Sequence, residues 1–156
     1  MHPRRFALIA GVFMLAMGVL AFIPALSRDA GMILPTLKVT NSYGAFLGFF
    51  PMNIVNKIAL IGFGLAGLYA ATRTGTSLPA SIRWSRIVFM AMGVLAILGM
   101  IPATNTLFGY WPLFGGEIVA HGVFAVLGAY FGYTLSAKVP HVDERVDAGR
   151  PTHAHV

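Results

Sequence analysis

The chain has 156 residues, 57% of them apolar and 10% charged, with a formal charge of +6 and a mean hydropathy of +0.76. A soluble domain carries roughly 25% charged residues, so most of this chain is built for lipid. Its positive charges sit in short clusters between apolar runs, the pattern of loops flanking membrane spans, and no continuous basic face of the kind a nucleic-acid module needs is present.

In chain order, Met1 to Arg5 is a short basic leader, and Phe6 to Leu26 follows without a charge. That run of about twenty residues can cross a hydrocarbon core of roughly 30 Å. A cleavable signal peptide is the competing reading, but its apolar region is normally about 7–15 residues. The run also recurs later in the chain. Val12-Phe13-Met14 and Ala16-Met17-Gly18-Val19-Leu20-Ala21 return as Val88-Phe89-Met90 and Ala91-Met92-Gly93-Val94-Leu95-Ala96. We therefore read 6–26 as the first span. Ser27 to Phe50 is the longest connection. Its Tyr43–Phe50 stretch, rich in glycine and aromatics, suits a mostly interfacial loop with rings at the headgroup level.

The second predicted span covers 53–72. A polar, basic connection from Arg73 to Arg86 follows, with Trp84 expected as an interface anchor. The third span covers 87–104. Ile23-Pro24-Ala25 at the end of the first span returns as Ile101-Pro102-Ala103, where proline marks or bends a helix terminus. Asn105 to Gly116 is an uncharged turn whose Tyr110 and Trp111 suit an interface. The fourth span covers 117–137. The tail 138–156 mixes both charge signs and lacks an apolar period, so we expect disorder on the cytoplasmic side. His153-Ala154-His155 is read there as a solvated pair rather than a metal site.

The predicted architecture is therefore an all-α integral membrane protein, a four-helix transmembrane bundle built from two parallel-repeat helical hairpins spanning 1–137. Each hairpin ends its first helix in Ile-Pro-Ala and opens its second after an aromatic-proline step, Phe50-Pro51 or Trp111-Pro112. With an offset of 64, Ile54 matches Ile118, Val55 matches Val119, Gly64 matches Gly128 and Tyr69 matches Tyr133. Copies entering from the same side are commonly related by an axis along the membrane normal. Eight basic residues fall at the N-terminus, middle connection and tail, against Arg28 and Lys38 on the other side. That bias places both termini in the cytoplasm.

Inside a membrane, ionisable groups are costly and mark candidate functional positions. Asn53 with Lys57, and Glu117 with His121, each lie four residues apart and so share a helix face. Under the repeat these four residues form a candidate intramembrane polar cluster, with Lys57 approaching Glu117 and Asn53 bridging to His121. The plain reading is a staple fixing the register of the two hairpins. The competing readings are a haem or chlorophyll held by His121 and a proton-coupled small-molecule transporter using Glu117 and His121. Gly62, Gly64, Gly67, Gly128 and Gly132 are expected at close helix contacts, Met14, Met17, Met90 and Met92 in the core, and Tyr69 and Tyr133 as interface anchors. The chain has no cysteine, which excludes disulfides and thiolate sites. Phosphate-loop, His-Glu-x-x-His and Gly-x-Ser-x-Gly motifs are also absent.

Gly48-Phe49-Phe50-Pro51-Met52-Asn53 before the second span, and Glu117 with His121 at the start of the fourth, resemble the bacterial four-span proteins of the domain-of-unknown-function 4383 family. The resemblance covers about Tyr43 to Tyr133. It implies a multi-pass protein of the bacterial inner membrane. In the family pattern the first stretch continues with histidines, and here Val55 and Ala59 stand at those positions. Taken together, the expectation is a non-catalytic accessory or scaffold subunit, working beside a protein partner or as a homo-oligomer in the lipid bilayer, without nucleic acid and with no cofactor specified by the sequence.

Overall fold

A computed structural model describes residues 2–27 and 34–138; the predicted tail and its histidine pair lie outside them, apart from Lys138. The protein is mostly helical. α1 is Pro3–Leu20, α2 Ile54–Thr72, α3 Ser77–Met100 and α4 Gly116–Ala129. α4 runs on without a break through a wider, π-type turn at Tyr130–Thr134 and a final 3-10 turn at Ser136–Lys138. Three helices, α1 to α3, are long and apolar enough to cross a membrane. Their exposed faces carry large apolar side chains such as Ile9, Phe13, Ile58, Leu65, Val94 and Ile97, as the lipid-facing surface of a membrane helix does.

Local chemistry explains where the helices start and stop. Pro3 opens α1, where its missing N–H costs nothing. The residue before a proline is pushed out of the helical region, and α1 and α3 both end ahead of the Ile-Pro steps at 23–24 and 101–102. Asn53 caps α2, its side chain accepting from the N–H groups of Val55 and Asn56 while the Asn56 side chain accepts from the Asn53 N–H. This reciprocal arrangement satisfies several amides that a helix start leaves open.

α1 packs along α2 and α3 along α4, with α3 also touching α1 and α2. The first seam is closed by glycine. A Cβ on Gly64 would stand 2.6 Å from the Leu15 amide nitrogen and 2.8 Å from the Gly11 carbonyl oxygen. Gly128 meets α3 in the same way, 2.7 Å from the Phe89 nitrogen and 2.8 Å from the Ser85 oxygen. Between the seams lies a core of Phe6, Met14, Trp84, Val88, Met92 and Phe131, with the Phe6 and Phe131 rings stacked at 4.5 Å.

Three expectations are corrected. The connection after α2 is only Arg73 to Thr76, because α3 begins at Ser77, ten residues before the predicted start; Pro79 is tolerated in that first turn. Trp84 is 4% exposed rather than an interface anchor. It lies in the groove left by Gly67 and donates its indole N–H to the Phe63 carbonyl at 3.2 Å. Met90 is 56% exposed and belongs to the outer surface, whereas Met14 and Met92 are buried.

The long connection is not all irregular. β1 (Gly44–Phe46) and β2 (Phe50–Met52) form an antiparallel hairpin in which Gly44 pairs with Met52 and Phe46 with Phe50. Its turn, Leu47 to Phe49, has positive φ at Leu47 and Gly48 and presents Leu47 and Phe49 outward. Phe46, Pro51, Met52 and Leu113 are fully buried beneath it. The connection then reaches the second hairpin, where the Lys38 and Val39 amides donate to the Gly109 carbonyl at 2.8 and 3.2 Å.

The opposite end is basic. Arg4 donates to the Ala71 carbonyl at 2.8 Å and Arg86 to the Gly132 carbonyl at 2.8 Å. The Arg73 and Arg86 guanidinium groups lie over the exposed Tyr69 and Tyr133 rings at 5.4 and 4.9 Å. Amphipathic tyrosines paired with arginine suit a headgroup layer.

Candidate functional site

Most of the buried polar side chains gather at the end away from the arginines, where α2 and α4 begin. Asn53, Asn56, Lys57, Glu117 and His121 are all buried there. The four predicted residues do not form one cluster. Asn53 faces the connections: its Nδ2 donates to the carbonyls of Val39 at 3.1 Å and Tyr110 at 2.8 Å. It makes no bridge to His121. Lys57 does not approach Glu117 either. Its Nζ donates to the Ser42 carbonyl at 2.7 Å and the Ser42 hydroxyl at 2.6 Å, and sits 5.2 Å from the centre of the Phe22 ring. On a helix, successive positions point about 100° apart, so the one-residue step from Asn56 to Lys57 turns the ammonium away toward the hairpin and α1. Ser42 has φ +57, and its carbonyl and hydroxyl both serve the ammonium.

The residue that does reach Glu117 is Asn56. Its Nδ2 donates to the Pro112 carbonyl at 3.2 Å and to Glu117 Oε2 at 3.5 Å. The same carboxyl oxygen lies 3.7 Å from His121 Nε2, one helical turn along α4. Glu117 is 4% exposed and His121 7%. Asn56 stood inside the sequence stretch that opens α2, but its role could be found only by folding the 110–112 turn over it. Trp111 is the second residue missed. It was read as an interface ring, yet its indole Nε1 is buried.

Asn56, Trp111, Glu117 and His121 share the wall of one partly open cavity of about 20 Å³, with Ala59, Leu60, Phe63, Met92 and Leu95 lining the rest. Trp111 Nε1, Glu117 Oε1 and His121 Nδ1 are buried in the protein without a hydrogen-bond partner among the described residues. Buried polar groups are nearly always paired, so three unpaired atoms on residues that line one cavity set this place apart. A haem or chlorophyll does not fit it: ligand pockets for molecules of that class run to roughly 300–1,000 Å³. Among the described residues no group of three or more His, Cys, Asp or Glu side chains could hold a metal ion.

The fold and site define a helical membrane protein whose buried ionisable groups, among the described residues, lie at one end of its helices. A family model described as Domain of unknown function (DUF4383) matches residues 4–134, and the chain belongs to that family. No curated protein and no solved structure matches it.

Proposed function

We propose that the protein is a non-catalytic, four-span subunit of the bacterial inner membrane, made of two like-oriented hairpins and acting as an accessory or scaffold for a larger assembly. The observation that carries this reading is the use made of α2's polar residues. Asn53, Asn56 and Lys57 all donate to carbonyls of the connections, at Val39, Tyr110, Pro112 and Ser42. These bonds tie α2 and its hairpin to the turn before α4. Interhelical polar bonds in membranes are worth about 0.6 kcal/mol each on average, a magnitude suited to fixing register.

α4 and its π turn together run from Gly116 to Thr134, long enough at about 1.5 Å per residue to serve as the fourth span. The repeat is supported by the matched glycines: Gly64 closes α2 on α1, and its counterpart Gly128 closes α4 on α3. The bias of basic residues toward the end that carries Arg4, Arg73 and Arg86 supports a cytoplasmic location for it. Gentle solubilisation of native membranes, followed by mass spectrometry and an absorbance spectrum, tests the subunit role. A stoichiometric protein partner and no visible band are expected. A homogeneous isolated chain would contradict an accessory role.

A second reading, proton coupling through Glu117 and His121, is favoured by the unpaired atoms around the cavity. Proton flux into proteoliposomes that disappears in Glu117→Gln would establish it over the first.

A further inference from the structure

We propose that the cavity between α2, α3, α4 and the Trp111 turn is a binding site for a single water molecule that joins Glu117 to His121. The ligand class follows from volume and donor set. A bound water needs roughly 10–15 Å³ and two to four polar partners; the cavity has about 20 Å³, and three of the residues lining it carry a buried polar atom without a partner among the described residues. Trp111 Nε1 is a donor only, so the guest must accept. Glu117 Oε1 accepts when the carboxyl is ionised and donates when it is protonated, and His121 Nδ1 accepts where Nε2 carries the proton, so the guest must also donate. Water does both in one molecule. A metal cation accepts nothing from an indole N–H, and its charge would meet the positive end of that bond.

Glu117 Oε2 lies 3.7 Å from His121 Nε2, beyond direct hydrogen-bond reach, and the water joins Oε1 to Nδ1. Asn56 holds the carboxyl from α2 through its bond to Oε2. One proton can pass from Glu117 to His121 through the water. With the carboxyl protonated at Oε1, that proton goes to the water oxygen while the water's own proton goes to Nδ1. The O–H bonds broken are replaced by one O–H and one N–H bond, and a carboxylate faces an imidazolium. Among the described residues no other titratable side chain lines the cavity, and the Lys57 ammonium is bound to Ser42. The site deepens the proton-coupling reading but does not depend on it, since the water also satisfies a purely structural pair.

Infrared difference spectroscopy of the full chain in lipid nanodiscs, in ordinary and in ¹⁸O-labelled water, tests the site. A narrow O–H stretch of a bound water is expected to shift with ¹⁸O in the wild type and in Tyr110→Phe. It should be lost or moved in Trp111→Phe, which keeps a ring and removes the donor. The carboxyl stretch assigned by its loss in Glu117→Gln should move in Trp111→Phe as well. Absence of any ¹⁸O-sensitive bound-water band in the wild type overturns the proposal, as does a band unchanged in both Trp111→Phe and His121→Gln. The wild-type reading needs no variant to fold. A bound-water band without proton flux in proteoliposomes would keep the site and refute transport alone.

Discussion

Asn53 accepts two amide hydrogens at the head of α2 and donates to two carbonyls from separate connections. One side chain therefore starts a helix and fastens both loops above it. Replacing a capping asparagine with alanine costs about 0.5–2 kcal/mol, and here the Val39 and Tyr110 carbonyls lose their partner too. Asn53→Ala is expected to fall in the upper part of that range, or beyond it, in reversible unfolding in detergent. Unchanged stability would mean that the cap is not formed. The sequence displayed the residues of this site but not their pairing. Lys57 and Glu117 invited a salt bridge because they are an opposite pair in matched helix starts. The backbone of Ser42, 15 residues upstream, takes the ammonium instead, and no periodicity announces a loop carbonyl. Trp111 was ambiguous for a related reason: an aromatic beside Pro112 suits either a headgroup layer or a buried wall, and only the path of the turn decides.

At the scale of elements, the apolar runs made the helices legible, and hydropathy hid their edges. α2 begins and ends where its cap and Arg73 place it. α3 reaches back across Ser77 to Arg86 because serine, alanine and arginine are compatible with a helix, although they do not read as lipid-facing. The short β hairpin escaped notice since its strands have three residues each, too few for alternation to register. Glycine usage separates seam from surface. Gly64 has no room for a Cβ against α1, whereas Gly62, two residues earlier, has nothing within 4 Å. Gly64→Leu is expected to lose at least the 1–3 kcal/mol typical of overpacking, because the obstructing atoms include backbone. Gly62→Ala should be neutral or stabilising by up to about 1 kcal/mol. Thermal unfolding of the two variants in one detergent checks the contrast, and equal losses would mean that the α1–α2 seam is wrong.

For the whole molecule, the two ends differ in kind. Arginines over tyrosines and helix-end carbonyls make one end; two interlocked connections, with Phe22, Leu47, Phe49 and Phe108 facing outward, make the other. The family was legible in the sequence, as the match over residues 4–134 bears out. Because the chain has no cysteine, single cysteines report cleanly on sidedness. Thr74→Cys should be labelled by an impermeant maleimide only from the cytoplasmic face and Phe108→Cys only from the opposite one. Labelling of both from one side would overturn the topology.

The central claim is that Glu117 and His121 are enclosed between the helices beneath the Trp111 turn. An apolar carbodiimide, which enters bilayers and attacks carboxyl groups open to lipid, tests this most directly, with peptide mass analysis reading the adduct on Glu117. The native protein in bilayers should leave Glu117 unmodified while the denatured chain is modified readily; rapid modification of Glu117 in the native protein would contradict the account.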